Sequence, residues 1–201
     1  MCREKTSGFW RVLLIIDSKV KVNKSLRPAV FIDRDGTIID DIGYLADPND
    51  VSLYPGIPDA LQKLKDMGYL LVVITNQSGI GRGFFDEGTA LAVNFATMRM
   101  LSESGVTVDA IYYCPHHPRD NCRCRKPELL MVQRAVGDLG IDLSGSWVVG
   151  DIDKDVRTGI NAGMNSILVE TGKTEKGDVP VSVKRCRTVV EAVELILNEE
   201  M

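Results

Sequence analysis

Three apolar runs constrain this chain more than any other feature: "AVFIDRDG" from Ala29, "YLLVVITN" from Tyr69 and "GSWVVGD" from Gly145. None alternates apolar with polar residues, and each stops abruptly in acidic or polar side chains. A strand with one wet face would alternate. A strand covered on both faces does not. "VTVDAIYYC" from Val106 and "NSILVE" from Asn165 read the same way. Between the runs lie segments with helical periodicity. "IPDALQKLKDMG" puts Ile57, Ala60, Leu61, Leu64 and Met67 on one face, with Gly68 as a stop. "DEGTALAVNFATMRMLSESG" is a helix closed by Gly105. "PELLMVQRAVGDLG" places Pro127 in a first helical turn and ends at Gly140. A short helix in "DVRTGINAG" and a last one over Val189–Leu197 complete the series.

This alternation predicts an α/β domain: a doubly wound parallel sheet flanked by helices. Residues 28–201 form that single domain, and residues 1–27 are an extension without an assigned role. The apolar run Val12–Ile16 is expected to be a strand or an ordered arm. It is shorter than a signal-peptide core of roughly 7–15 residues. No run approaches the ~20 residues that cross a bilayer. The expected location is the cytoplasm, where thiols stay reduced. Cys2 and Cys186 stand apart as ordinary free thiols. A net charge of −4 argues against a nucleic-acid partner, so any anionic substrate needs locally concentrated cations.

In such sheets the ligand sits beyond the carboxyl ends of the strands. The first strand ends in Asp33 and Asp35, two residues apart. If the strand continued through both, they would share a face. Converging carboxylates suit Mg²⁺, and one of them can attack phosphorus while the other moves a proton. The second strand ends in "TNQSGIGRG", where Thr75 offers a hydroxyl and a glycine-rich turn can present amides to an anion. Arg125 and Lys126 precede a helix, a setting that suits phosphate. Asp151 follows the strand "GSWVVG", with Asp153 and Asp155 close behind; helix capping explains Asp153. Each signal alone has a bland explanation: a strand-to-loop junction, a turn, a solvated basic pair or a helix cap.

Taken in order and context, these residues resemble the four motifs of the haloacid dehalogenase (HAD) superfamily of phosphohydrolases, over roughly Ala29 to Gly172. The resemblance implies a Rossmann-like, capless core. It implies that Asp33 attacks phosphorus and that Asp35 protonates the leaving alcohol and then activates water. It also implies that Thr75 and Lys126 bind the phosphoryl oxygens. Mg²⁺ would be held by the Asp33 carboxylate, the Asp35 backbone carbonyl and Asp151.

"YYCPHHPRDNCRCRKP" holds three of the five cysteines and both histidines. Cys114, Cys122 and Cys124 with one imidazole match a closed, structural Zn²⁺ site. Spacing alone leaves His116 and His117 as rivals. "FIDRDGTI", "TNQSGIGRG", "YYCPHHP" and "CRCRKP" together resemble the family of D-glycero-D-manno-heptose 1,7-bisphosphate 7-phosphatases, in which the histidine ligand corresponds to His116. That resemblance implies a phosphorylated-sugar substrate, nucleotide-activated heptose biosynthesis (as for lipopolysaccharide), and a monomer. It also implies substrate contacts from Asp41, Ile42, Gly43 and Tyr44, and from Thr75, Asn76, Gln77 and Ser78. Arg125 would recognise the second phosphate or the sugar, and Lys126 the transferring phosphoryl. The pattern departs at Ile152, where the family carries Lys, and in a short loop between the two cysteine pairs.

Histidinol-phosphate phosphatases share the zinc loop and are the alternative; "NQSGIGRG" favours the heptose family. A non-catalytic phospho-acceptor or zinc-stabilised interaction domain could also use Asp33. Asp35 argues against it, since a receiver has no leaving alcohol to protonate.

Overall fold

A computed structural model describes residues 26–172 and 178–199. Most of the extension 1–27, with Val12–Ile16 and Cys2, lies outside the described residues. Six strands form one sheet: β1 Arg27–Ile32, β2 Leu70–Asn76, β3 Ala110–Cys114, β4 Ile141–Gly150, β5 Asn165–Val169 and β6 Lys184–Cys186. Every pairing is parallel, in the order β3-β2-β1-β4-β5-β6. The connecting helices are α1 Ile57–Asp66, α2 Ser78–Arg82, α3 Glu87–Glu103, α4 Leu130–Leu139, α5 Asp153–Ala162 and α6 Val189–Glu199.

The lack of alternation follows from burial on two faces. Successive side chains of a strand point to opposite sides. Val30 and Ile32 of β1 join a core with Leu61 and Leu64 of α1, Val93 of α3 and Ile196 of α6. Ala29 and Phe31 join a second core with Met131, Val132 and Ala135 of α4. Phe31 lies level with Val72 on one side and Val148 on the other. Fully burying such a side chain contributes roughly 1.5–3 kcal/mol, so every position of β1 from Ala29 to Ile32 favours this arrangement.

Several sequence expectations need correction. β1 stops at Ile32, so Asp33 and Asp35 do not share a pleat face; Asp35 sits in the turn that follows. Met67 is half exposed, because α1 ends one residue before it. Pro127 does not lead a helix: α4 begins at Leu130. The preceding backbone is spent on turns, with Glu128 N donating to Arg125 O at 2.8 Å and Leu130 N to Arg123 O at 3.1 Å. The glycine-rich "SGIGR" is the helix α2 rather than an open loop. Asp153 does not cap α5. Asp155, one turn in, reaches back and accepts from Ile152 N at 3.2 Å.

Candidate active site

A chain that leaves β1 in one direction and returns to β4 on its other side creates a crevice between those two strands. Asp33 ends β1 and Asp151 ends β4, so both carboxylates lie at that crevice. Asp155 of α5 joins them: the three side chains offer oxygens within 4.8 Å of one another. All three are buried. The tight approach has a local cause at Gly36. Its φ is +79°, and a Cβ there would stand 2.7 Å from Asp151 Oδ2. Only glycine allows the turn after Asp33 to lie against Asp151.

Lys126 is the counter-charge. Its Nζ lies 2.6 Å from Asp33 Oδ1 and 2.6 Å from Asp155 Oδ1, and donates to Ile74 O at 2.9 Å. Burial alone would lower the Lys126 pKa; Asp155 and Asp33 hold it above the ordinary lysine range. Burial raises Asp33 well above the usual carboxylate range, against the pull of Lys126; Asp155, Asp151 and Asp35 push it further. The main chain of Lys126 is fixed by Asn76, whose Oδ1 accepts from Lys126 N at 3.0 Å and whose Nδ2 donates to Lys126 O at 3.4 Å. The Asn76 amide is thus committed to positioning Lys126.

The metal-binding chemistry fits the donors present. Three buried carboxylates around one ammonium leave negative charge in a place that water hardly reaches, which is costly without a further cation. Hard oxygen donors in this number suit Mg²⁺. The Asp35 carboxylate stands outside this group. It accepts from Arg34 Nε at 3.1 Å and Arg34 Nη2 at 2.8 Å, from Gln77 Nε2 at 2.8 Å and from Thr75 Oγ1 at 3.3 Å.

Arg125 is half-buried, yet its Nη1 is fully enclosed and has no hydrogen-bond partner among the described residues. Asp41, Ile42, Gly43 and Tyr44 lie on the loop after β1. Asp41 Oδ1 accepts from Gly43 N at 2.9 Å. Ile42 and Tyr44 are half exposed, and Tyr44 meets Phe84 edge-on with ring centroids 4.6 Å apart. Ser78 is half-buried and opens α2.

A second cluster lies at the end of β3, the edge strand separated from β1 by β2. Cys114, His116, Cys122 and Cys124 present their ligand atoms within 4.8 Å of one another. The sulfurs are 3.3–3.6 Å apart. His116 Nδ1 lies 3.2 Å from Cys124 Sγ and 3.6 Å from Cys114 Sγ. A tetrahedron with metal–sulfur arms of about 2.3 Å has edges of about 3.8 Å, so the four donors fit zinc. Donation from the Cys124 thiol draws the Cys114 pKa down to about 5, against burial. His117 is elsewhere: its Nδ1 accepts from Arg119 N at 3.1 Å, while Asp120 accepts from His117 N at 2.9 Å. These bonds close a 3-10 turn over Pro118–Asp120. The clustered loop is packed on α2 at Gly81, where a Cβ would fall 2.2 Å from His117 N.

Sequence reasoning brought Asp33, Asp35, Thr75, Lys126 and Asp151 to one place, of which Asp33, Lys126 and Asp151 gather with Asp155 while the Asp35 carboxylate is paired with Thr75. It missed Asp155 as a member of the carboxylate group and Arg34 as the partner of Asp35. The spacing Asp151-x3-Asp155 across a helix start was the available signal for the first.

Residues 123–194 match the HAD-hydrolase-like family model. The chain is 42% identical over 160 residues to the D-glycero-beta-D-manno-heptose-1,7-bisphosphate 7-phosphatase of Haemophilus influenzae, covering 76% of this chain and 87% of that protein. The enzyme of the same name from Escherichia coli is 42% identical over 154 residues, covering 73% and 81%. The chain belongs to the heptose bisphosphate phosphatase family. A solved member of that family, the D,D-heptose 1,7-bisphosphate phosphatase from B. bronchiseptica complexed with magnesium and phosphate, superposes with a TM-score of 0.78 at 34% identity. The match covers 86% of this chain and 99% of that one. Like its relatives, this heptose bisphosphate phosphatase family member is a phosphoric monoester hydrolase of the HAD superfamily.

Proposed function

We propose that this protein removes the C7 phosphate of D-glycero-D-manno-heptose 1,7-bisphosphate, in the biosynthesis of nucleotide-activated heptose. The named relatives support the substrate. The observation that carries the chemistry is Lys126 Nζ, 2.6 Å from the buried Asp33 carboxylate at the β1–β4 crevice.

Asp33, Asp151 and the Asp35 main-chain carbonyl would hold Mg²⁺, with Asp155 close by. The cation would lower the charge that repels a phosphate dianion from a carboxylate. Asp33 attacks the phosphorus; its O–P bond forms as the bond to the sugar oxygen breaks. Asp35 donates the proton that the sugar oxygen needs. Lys126 and the Thr75 hydroxyl steady the equatorial oxygens in the transition state. Water then attacks the aspartyl-phosphate while Asp35 takes its proton back, releasing inorganic phosphate and free Asp33. Arg125, half-buried and next in the chain to Lys126, would take the second phosphate. On the family resemblance, Asp41–Tyr44, Gln77 and Ser78 would contact the sugar.

Zinc on the four-donor cluster would hold structure rather than react, since three thiolates and an imidazole leave no open position. We place the protein in the cytoplasm as a monomer.

A steady-state comparison of both heptose bisphosphate anomers with fructose 1,6-bisphosphate and histidinol phosphate tests the reading. One heptose anomer should give the highest kcat/KM. A preference for histidinol phosphate would replace this substrate assignment with the other.

A further inference from the structure

We infer that Arg34 and Asn94 are positioning residues for Asp35, an assignment that rests on the phosphatase reading above. Arg34 is the middle residue of "DRD". It is 1% exposed, among the largest fully buried side chains of the protein. All three guanidinium nitrogens have partners. Nε donates to Asp35 Oδ1 at 3.1 Å, and Nη2 to Asp35 Oδ1 at 2.8 Å and to Oδ2 at 2.9 Å. Nη1 donates to Asn94 Oδ1 at 2.6 Å. Asn94 sits in the middle of α3 and is fully buried, next to Val93 and a turn from Met98.

Stability does not explain this pair. A buried guanidinium costs several kcal/mol in desolvation, and a well-packed apolar substitute is often as stable or more so. Asn94 occupies a core-facing position of a helix where an apolar residue would strengthen packing, and its Nδ2 has no hydrogen-bond partner among the described residues. Both polar residues make sense through what they hold. The Asp35 carboxylate is 22% exposed, so it can be reached from the crevice. Arg34 grips both of its oxygens from behind, and α3 fixes Arg34 through Asn94. Gln77 and Thr75 hold Oδ2 from the β2 side. A proton donor that must meet a leaving oxygen loses rate when its orientation wanders.

The consequence depends on the leaving group. An alkoxide cannot leave without the Asp35 proton. A p-nitrophenolate can leave unprotonated, so the first step, formation of the Asp33 O–P bond, needs no proton from Asp35. The second step, water attack, still needs Asp35 as base. The test is rapid-mixing and steady-state assay of Arg34→Lys and Asn94→Ala with heptose bisphosphate and with p-nitrophenyl phosphate. Arg34→Lys should lower kcat on the sugar phosphate by about a hundredfold, the scale of one misplaced acid–base group. KM and the rate of the first p-nitrophenolate equivalent should change by less than about threefold, so that a burst precedes slow turnover. Asn94→Ala, which keeps the Arg34 charge, should show the same pattern with a loss of about tenfold. It carries the test if Arg34→Lys fails to fold. Equal losses on the two compounds, with no burst, would mean a structural role and overturn the assignment, as would wild-type kcat in both variants. Wild-type protein that releases phosphate from neither compound would instead sink the phosphatase reading, and this assignment with it.

Discussion

Two clusters sit at the carboxyl ends of the strands, one at the central pair β1 and β4 and one at the edge strand β3, and are built in opposite ways. The thiol cluster is local: its four ligands span Cys114 to Cys124. The carboxylate pocket is assembled from distant parts, with Asp33 after β1, Lys126 before α4, and Asp151 and Asp155 around the start of α5. The soft donors satisfy one another, sulfur to sulfur and sulfur to imidazole. The hard donors do not: burial pushes Asp33 up, and one lysine serves two carboxylates. The first cluster would serve as a brace, and the second crowds three carboxylates around one ammonium, the setting that the proposed cation and phosphoryl group need.

Removing the nucleophile should break this comparison most sharply. Asp33→Asn should cost on the order of 10⁴-fold in kcat while the thermal midpoint stays the same or rises, since one of three crowded carboxylates loses its charge. Turnover near wild type would falsify the nucleophile assignment. Next comes Lys126→Ala, which leaves three buried carboxylates without their ammonium. It should lower stability by about 3–5 kcal/mol in metal-free buffer, read by urea denaturation, and Mg²⁺ should restore part of it. Unchanged stability would mean that Lys126 balances nothing.

The thiol cluster should respond the other way round. Cys122→Ser with Cys124→Ser should remove zinc from the purified protein, as read by elemental analysis, and lower its melting temperature. Turnover of the folded fraction should fall by no more than about tenfold to a hundredfold, the range for groups that only support a site. Native protein without zinc would sink the zinc reading, and abolished turnover in a folded variant would make the cluster catalytic. The smallest effect is expected from Gly81→Ala, where the new methyl meets the His116–His117 peptide. It should cost about 1–3 kcal/mol and raise KM more than it lowers kcat. An unchanged thermal melt would show that α2 and the thiol loop are not interlocked.

The same contrast explains what the sequence made legible. Parallel strands buried on two faces announce themselves, and so do the residues that close them; Asp33, Thr75 and Asp151 are found that way. The thiols are found from spacing. Asp155 is harder to see, because an aspartate one turn into a helix looks like any N-terminal charge, and its approach to Lys126 depends on how α5 meets β4. Arg34 is hidden for a different reason. A pleat would have pointed it away from both aspartates, but β1 ends at Ile32 and the turn through Gly36 folds it back. α2 was missed because two of its own positions, Gly79 and Gly81, and its cap Gly83 favour a turn locally, and packing against the His116–His117 peptide overrides that preference.

The short turn over Pro118–Asp120 leads from one half of the thiol cluster to the other. Cys114 and His116 stand on one side of it and Cys122 and Cys124 on the other, so zinc held by all four would tie the chain at its base like a loop of rope held by a ring. Whatever the tip does, Arg125 and Lys126 leave the ring at the same point and in the same direction. Closing a longer loop there would add only a slowly growing entropy cost. The tip is therefore the part of this loop that could be lengthened, shortened or decorated while Lys126 keeps its place against Asp33 and Asp155.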